Sequence, residues 1–374
     1  DSKVLLRAGA GEASDFSYGM EEYANLRMQA KLREGITFYG ALNLIAMAGA
    51  FAGEAAALEA YAAASPLPLS PFAAGENYAA GLEPERLYFR VNGEYLDGEA
   101  GLMRLAFGYG QVWGPSDFLN PKNPLLPDAR PRAVLGASLG FYPGDTAKLS
   151  VFGAAPRNPL ESGGGGFITG LSADQHWNQL SLQGLYAFET PLSASPYGIH
   201  RAGLSIKADL ALGLTADLLY SWDPRHSPGM DGLSASAGAD YSFYQGKLYC
   251  LAEYLYSGAS SVTAGGSGGD PEDTAPVSGL QHRHYLYLML LYRWSDYTST
   301  SLACMAGPED LSFTPILSVE HELFQGLSLN LQGQIPLDRD VFAGNGKRGE
   351  FGPIPPGYSR GQRFQLSARA RLRF

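Results

Sequence analysis

The C-terminal segment alternates strictly between apolar and polar residues. From Phe364 to Phe374 every even-numbered residue is apolar, and the odd-numbered residues are polar and include three arginines. Because successive side chains of a β-strand point to opposite faces, this pattern predicts a strand with one apolar and one polar face. The even-numbered residues from Ala202 to Trp222 are likewise all apolar. A two-residue hairpin would shift that parity, so we predict one long strand there.

The same alternation predicts sixteen strands along the chain. Proline cannot donate to a β-ladder and avoids strand interiors, and of the 24 prolines only Pro315 falls inside a predicted strand. The predicted strands are 2–9, 22–32, 36–46, 86–96, 101–112, 132–142, 147–155, 176–188, 201–222, 233–243, 247–257, 283–294, 297–306, 311–322, 326–335 and 363–374.

Composition excludes several other classes of protein. The chain has no apolar stretch of about 18 residues, which excludes a bundle of membrane helices. Two cysteines in 374 residues cannot frame a disulfide scaffold. A net charge of -10 and a pI near 5.1 argue against a nucleic-acid partner. With 45% hydrophobic and 17% charged residues, the chain is not disordered either.

The connections between the predicted strands alternate in length. The odd-numbered connections, such as 10–21, 47–85 and 113–131, are long, whereas most even-numbered ones, such as 33–35 and 295–296, are short. Long loops on one side and tight turns on the other are typical of an outer-membrane β-barrel. We therefore predict an all-β, transmembrane, antiparallel up-and-down barrel that forms a single domain over 1–374. An even strand count puts both termini on the tight-turn, periplasmic side.

The two faces of the strands have different predicted environments. A barrel of sixteen strands is too wide for side chains to fill, so its lumen holds water and its apolar face meets lipid. Aromatic residues on the apolar face are expected to form girdles at both membrane interfaces. The expected girdle at the tight-turn end comprises Phe141, Phe188, Phe243 and Phe374. The expected girdle at the long-loop end comprises Tyr220, Trp222, Tyr254, Tyr256, Tyr285 and Phe364.

The end of the chain resembles a known signal. Phe374 closes the amphipathic strand that starts at Phe364, with Leu372 at the alternate position. This resembles the C-terminal signal that the barrel-assembly machinery of bacterial outer membranes reads, and it implies that machinery as a partner. With the strand count and the loop asymmetry, the chain is similar to the bacterial porin superfamily. The resemblance implies the outer membrane of a diderm bacterium, in a mature form without signal peptide, and leaves monomer versus homo-oligomer open.

Cationic residues cluster on the predicted lumen face. Since the last strand must pair with the first to close the barrel, cations on both ends of the chain share one sector of wall. The alternative is that these are ordinary solvated lumen residues. The predicted pore-lining cations are Arg7, Arg27, Lys31, Arg90, Arg104, Arg369, Arg371 and Arg373.

The third long connection differs from the others because prolines stiffen it and it mixes charged with aromatic residues. In porins of sixteen strands the third outer loop folds into the lumen, so the resemblance implies that 113–131 forms the constriction. Its charges would be Asp117, Lys122, Asp128 and Arg130, with both aspartates opposite the arginine sector. The alternative is a rigid cap on the outer surface. The second connection, 47–85, contains an alanine-rich run that predicts a short helix in an outer loop.

The sequence lacks the spacings that catalysis or metal binding would require. It contains no Gly-x-Ser-x-Gly or P-loop motif, and His282 and His284, which share a face, have no Cys, Asp or Glu at ligand spacing to complete a metal site. We expect neither an enzyme nor a cofactor. The predicted function is a channel for small hydrophilic solutes or ions. Two alternatives remain: a plugged barrel that binds partners through its loops, and a transporter of hydrophobic compounds.

Overall fold

The computed structural model describes the strands and most of their tight turns, together with the first half of the third long connection. The described residues are 2–9, 16–49, 70–75, 77–120, 133–155, 166–190, 198–225, 229–258, 283–309, 311–324, 326–335, 337 and 362–372.

These residues form nineteen β-strands and two single-turn 3-10 helices, Met230–Gly232 and Tyr244–Gly246. In chain order the strands are β1 Ser2–Gly9, β2 Phe16–Arg33, β3 Ile36–Gly49, β4 Ser70–Gly75, β5 Tyr78–Asn92, β6 Leu96–Met103, β7 Val134–Gly144, β8 Ala147–Ala155, β9 Ile168–Trp177, β10 Leu180–Glu189, β11 Ile199–Asp209, β12 Gly213–Trp222, β13 Leu233–Phe243, β14 Leu248–Ser257, β15 His284–Arg293, β16 Thr298–Gly307, β17 Ser312–Phe324, β18 Leu327–Gln334 and β19 Gln362–Leu372.

The strands close into a ring. Each strand pairs antiparallel with the next along the chain, except that β3 pairs with β5 while β4 lies along the other edge of β5. The first and last strands also pair, with Lys3 opposite Arg369, and this pairing completes the ring. Among the described residues, eighteen strands therefore make an up-and-down barrel, and β4 is an addition to it.

The predicted strand 201–222 is wrong, because a turn at Leu210–Leu212 divides it into β11 and β12. Asp209 pairs with Gly213 across this turn. A turn of three residues leaves odd-numbered residues on the same face before and after it, so the parity of the sequence cannot reveal it. Parity excludes only turns with an even number of residues.

Two further strand predictions need correction. Predicted strand 176–188 covers only the end of β9, a turn at Asn178, whose φ of 43° is left-handed, and most of β10. Strand β9 escaped prediction because its outer face mixes Thr169 and Gln175 with apolar residues. Predicted strand 101–112 is also wrong: β6 ends at Met103, and the apolar residues that follow belong to a loop.

With these corrections the connections sort cleanly into two kinds. On one side of the barrel the turns have two to four residues, and on the other all connections except 308–311 are longer than that. The connection 190–198, which the prediction placed among the short turns, lies on the long side. Within the described part of the chain, no helix is long and apolar enough to cross a membrane.

One face of the sheet exposes large apolar side chains around the ring. Leu26, Val151 and Leu302 are 69%, 65% and 50% exposed, and such residues recur on alternate positions of other strands. A soluble protein rarely exposes so large a continuous apolar surface, whereas lipid requires it. This outer face therefore meets lipid, and the opposite, inner face lines the lumen.

The predicted girdles are correct only in part. Phe141 and Phe243 lie on the outer face at the tight-turn end, and Tyr220 and Trp222 lie at the long-loop end. Phe188 was placed at the wrong end, because the missed turn at Asn178 reverses its strand, and its ring packs 4.9 Å from His200. Tyr285 was placed on the wrong face; it is buried inside the barrel, at 1% exposure. The side chains of Phe364 and Phe374 lie outside the described residues.

A charge on the outer face should be far less tolerated than the same charge beside it on the inner face. We expect Leu302→Arg, in the middle of β16, to lower the free energy of unfolding by about 2–4 kcal/mol, the cost of arginine at the bilayer midplane. The neighbouring Ser301→Arg, which points into the lumen, serves as the control and should cost much less. Urea unfolding from lipid vesicles measures both. Equal losses would contradict the assignment of faces.

Candidate functional site

The connection after β6 enters the barrel. At Phe107 its ring lies 4.9 Å from Phe152 on β8, and at Trp113 its ring lies 6.2 Å from Tyr287 on β15. These strands are seven positions apart, about 34 Å of arc at ~4.8 Å per strand, whereas six residues extend only about 21 Å. The loop can connect the two strands only if it takes the shorter path through the inside of the barrel. We call residues 104–120 the inner loop.

Apolar packing holds both ends of the inner loop. Trp113 is fully buried among Leu251, Leu255 and Met305 on the inner face of β14–β16. At the other end Phe107 joins a buried cluster with Val134 and Phe152. This packing explains why β15 is apolar on both faces: its inner face contacts the loop and its outer face contacts lipid.

Between these ends, backbone N–H groups of the inner loop bind polar side chains of the wall. Gly108 donates to Oε1 of Gln183 at 2.6 Å. Tyr109 and Gly110 donate to the two oxygens of Asp217 at 3.1 and 2.8 Å. Gln111, Val112 and Trp113 donate to Glu253 at 3.0, 3.0 and 2.8 Å. Six consecutive peptide groups are thus directed at the wall of β10, β12 and β14.

Both carboxylates are buried, and the loop compensates the cost of that burial. Glu253 is 1% and Asp217 2% exposed. An ionised carboxylate without partners is strongly disfavoured in such a place, and charge-assisted bonds from backbone N–H groups stabilise it. Two glycines allow the loop to adopt this conformation. A Cβ on Gly110 would lie only 1.8 Å from the Trp113 carbonyl oxygen, and Gly108 has a left-handed φ of +79°.

Residues that lie directly opposite one another on paired strands point to the same face of the sheet, so the strand pairing identifies the inner-face positions around the whole ring. Traced from strand to strand, starting at Gln183, Asp217 and Glu253, these positions include all the predicted wall cations that lie on described strands. The positions on this face include Arg7, Arg27, Lys31, Arg90, Arg369 and Arg371. Arg373 lies outside the described residues. A role for these residues in lining a pore stays a prediction.

Neighbouring side chains of the wall hold Arg27 and Arg90. The Arg27 Nε donates to the Asn25 side-chain oxygen at 2.5 Å. The Arg90 guanidinium forms an ion pair with Glu99 and lies 5.4 Å from the ring of Tyr39, which stacks on Tyr88. Arg90 is thus fixed on the wall.

The prediction placed Arg104 on a strand, but Arg104 lies at the start of the inner loop. It lines a cavity of about 410 Å³ between the loop and the wall near the tight turns. The remaining charged groups that line this cavity are mostly acidic, and they comprise Asp97, Glu99, Asp145, Lys148 and Asp174. Lys148 forms an ion pair of 3.1 Å with Asp97.

Asp117 is buried inside the inner loop. Its Oδ1 accepts hydrogen bonds from the Phe107 N–H at 3.3 Å and from the Asn120 side chain at 3.1 Å. The carboxylate thus ties the outgoing half of the loop to the returning half. Lys122, Asp128 and Arg130 lie outside the described residues, as does the predicted helix within 47–85. Of the predicted assembly signal, Leu372 is exposed on the outer face at the end of β19.

Sequence reasoning missed Glu253 as the main partner of the loop. A signal was present, since Glu253 is the one charged residue in β14, between Leu251 and Leu255. It also missed Arg201, whose guanidinium lies 4.9 Å from the Phe118 ring and pairs with Glu189 at 2.7 Å.

Burial, together with the charges of Asp174 and Asp217, raises the pKa of Tyr109 to about 12, so this hydroxyl stays neutral.

Within the described ranges, no group of three or more His, Cys, Asp or Glu residues is arranged to hold a metal ion.

Truncating Trp113 should loosen the inner loop. Deleting a buried indole leaves a cavity, so Trp113→Ala is expected to reduce the free energy of unfolding by about 3–5 kcal/mol. Trp177→Ala is the control, because that side chain is 51% exposed and its loss leaves no cavity. Urea unfolding in detergent micelles compares them. A Trp113 variant as stable as the wild type would contradict the buried placement of the indole.

Comparison with known proteins defines the fold. No protein-family model and no curated protein matches the chain. Among solved structures it resembles a BenF-like porin from Pseudomonas fluorescens Pf-5, with a TM-score of 0.55 and 9% identity over 100% of this chain and 97% of that one. OccAB3 of Acinetobacter baumannii gives 0.54 and 11%, covering 100% and 98%. OccK5 (OpdH) of Pseudomonas aeruginosa gives 0.52 and 10%, covering 100% and 97%. Over its whole length, therefore, the chain has the fold of an outer-membrane porin.

Proposed function

We propose that this protein is an outer-membrane channel for small hydrophilic solutes or ions. The observation that carries the proposal is the one-sided position of the inner loop. Its hydrogen bonds and apolar packing go to the wall from β7 to β17. The remaining wall, from β18 through β1 to β6, carries most of the predicted cations together with Glu83, Glu85 and Glu99, and it bounds the proposed passage.

The barrel itself supports this proposal. Closing eighteen strands gives a lumen too wide for wall side chains to fill, so water must occupy it unless a loop does. The inner loop, among its described residues, packs against one half of the wall. A lumen that transports hydrophobic compounds would need an apolar lining, which the sector with Arg27, Arg369 and Arg371 does not provide.

The location and orientation follow from the same proposal. The exposed apolar outer face suits outer-membrane lipid, and the tight turns lie on the side of both termini. We place that side in the periplasm, where the C-terminal strand would be read by the barrel-assembly machinery. The long loops then face the exterior.

The proposed constriction includes 113–131. Of this range, residues 113–120 lie beside the inner wall, where the Ser116 hydroxyl accepts a hydrogen bond of 3.1 Å from the Ser205 hydroxyl. Asp117 contributes by holding the loop in shape, and Lys122, Asp128 and Arg130 would carry its charges toward the cationic wall. Charges on both sides of a narrow point are how such channels select among solutes.

Conductance tests the proposal directly. The purified protein in planar bilayers is expected to open stable single channels, and in liposomes it should admit small sugars while excluding large ones. The measurements are current recording and swelling with solutes of graded size. A protein that inserts but never conducts would instead support the plugged barrel that binds partners through its loops.

The cationic sector should influence ion selectivity. We expect Arg27→Gln together with Arg371→Gln to shift the reversal potential in a salt gradient toward cation preference, because two positive charges leave the lumen face. Lys247→Gln, at a tight turn outside the strands, is the matched control and should have a smaller effect. An unchanged reversal potential in the double variant would indicate that these arginines are ordinary solvated residues of the wall.

A further inference from the structure

The peptide groups of the inner loop have a common direction. The N–H groups from Gly108 to Trp113 all donate to side chains of the wall, at 2.6 to 3.1 Å. In a planar trans peptide the N–H and the C=O of the same unit point in opposite directions. The carbonyl oxygens of the preceding residues, Phe107 to Val112, are therefore directed away from the wall.

Among these residues Gly108, Tyr109 and Gln111 are the ones with appreciable exposed surface, so it is their carbonyl oxygens that face the lumen and the cationic sector across it. Carbonyl dipoles attract cations and hydrogen-bond donors, as in other channels where backbone oxygens contact the permeating ion. The passage would then have cationic side chains on one side and neutral acceptors on the other. This arrangement depends on whatever fixes the direction of the peptide groups.

We propose that Asp217 and Glu253 are positioning residues that hold the inner loop against the wall and turn its carbonyl groups toward the passage. The proposal deepens the channel function and rests on it for the effect on permeation. Five of the six N–H bonds go to these two carboxylates. Side chains reinforce the arrangement: Gln111 donates to Asp240 at 2.7 Å and accepts from the Tyr249 hydroxyl at 2.8 Å.

An amide cannot replace either carboxylate. Each oxygen of Asp217, and each of Glu253, accepts at least one N–H group of the loop. In Asn or Gln one of the two oxygens becomes an NH₂ donor, which then faces an N–H donor. Asp217→Asn and Glu253→Gln therefore keep the side-chain size, lose the negative charge and place one N–H donor against another, which weakens the hold on the loop.

A disulfide between loop and wall measures the position of the loop without any transport assay. The hydroxyl oxygens of Ser116 and Ser205 are 3.1 Å apart, so Ser116→Cys and Ser205→Cys place two thiols within bonding reach. Cys250 and Cys304, which are free and lie on the outer face, are first replaced by alanine. The rate of disulfide formation in the full-length protein then reports how often the loop lies against β11.

We expect Asp217→Asn with Glu253→Gln to slow this disulfide at least about tenfold, the factor that corresponds to loss of a single hydrogen bond to a charged group. Glu320→Gln is the matched control, because Glu320 is an exposed inner-face carboxylate near the tight turns, and it should leave the rate unchanged. An unaltered rate in the double variant would overturn the proposal, since the packing of Trp113 would then suffice to hold the loop.

Bilayer recordings test the effect on permeation. The double variant should change the single-channel conductance at least about twofold and raise the chloride-to-potassium permeability ratio, because the acceptor face no longer borders the passage. Oxidation of the two introduced thiols to the disulfide that joins loop and wall should restore both values, and reduction should abolish the rescue. A change that oxidation does not reverse would show that only the lost charges matter and would overturn the positioning role. If the wild type does not conduct, the channel proposal fails, whereas the disulfide rate still decides whether the carboxylates hold the loop.

Discussion

The closure of the backbone hydrogen-bond ladder is the constraint on which the rest of the structure depends. Lipid offers no partner for an N–H or C=O group, so a sheet can cross it only as a closed ring. The pairing of β1 with β19 supplies that closure, and eighteen strands fix the width of the ring. A ring so wide cannot be filled by its own side chains, which is why a loop inside it determines the remaining space.

The placement of two buried carboxylates follows from the position of the inner loop. The acidic side chains that meet its N–H groups, Asp217 and Glu253, lie on the half of the wall that the loop covers. Arg27, Arg369 and Arg371 belong to the other half. Buried carboxylates are stable only where donors reach them. The loop therefore accounts for the burial of these two carboxylates.

Much of the fold was predictable from the sequence because a strand in a lipid-facing barrel repeats every two residues. Strands β1, β8 and β13 were predicted with the bounds that the structure has. The errors have physical causes: the three-residue turn at Leu210–Leu212 preserves parity, and Phe107 is apolar because it packs against the wall within a loop. Periodicity reports the face of a residue but not the partner that covers it. For that reason the inner-face positions of the cations were predictable, whereas the roles of Glu253 and Tyr285 were not.

The central claim is that the inner face of the barrel encloses water and the inner loop, while the outer face meets lipid. Single cysteines at consecutive positions 329 to 332 of β18, in a background without Cys250 and Cys304, test it in lipid vesicles with a charged, membrane-impermeant thiol reagent. The account predicts rapid modification at Asn330 and Gln332 and protection at Leu329 and Leu331, since these alternate between inner and outer faces. Equal reactivity at all four positions, or protection at Asn330 and Gln332 instead, would contradict it.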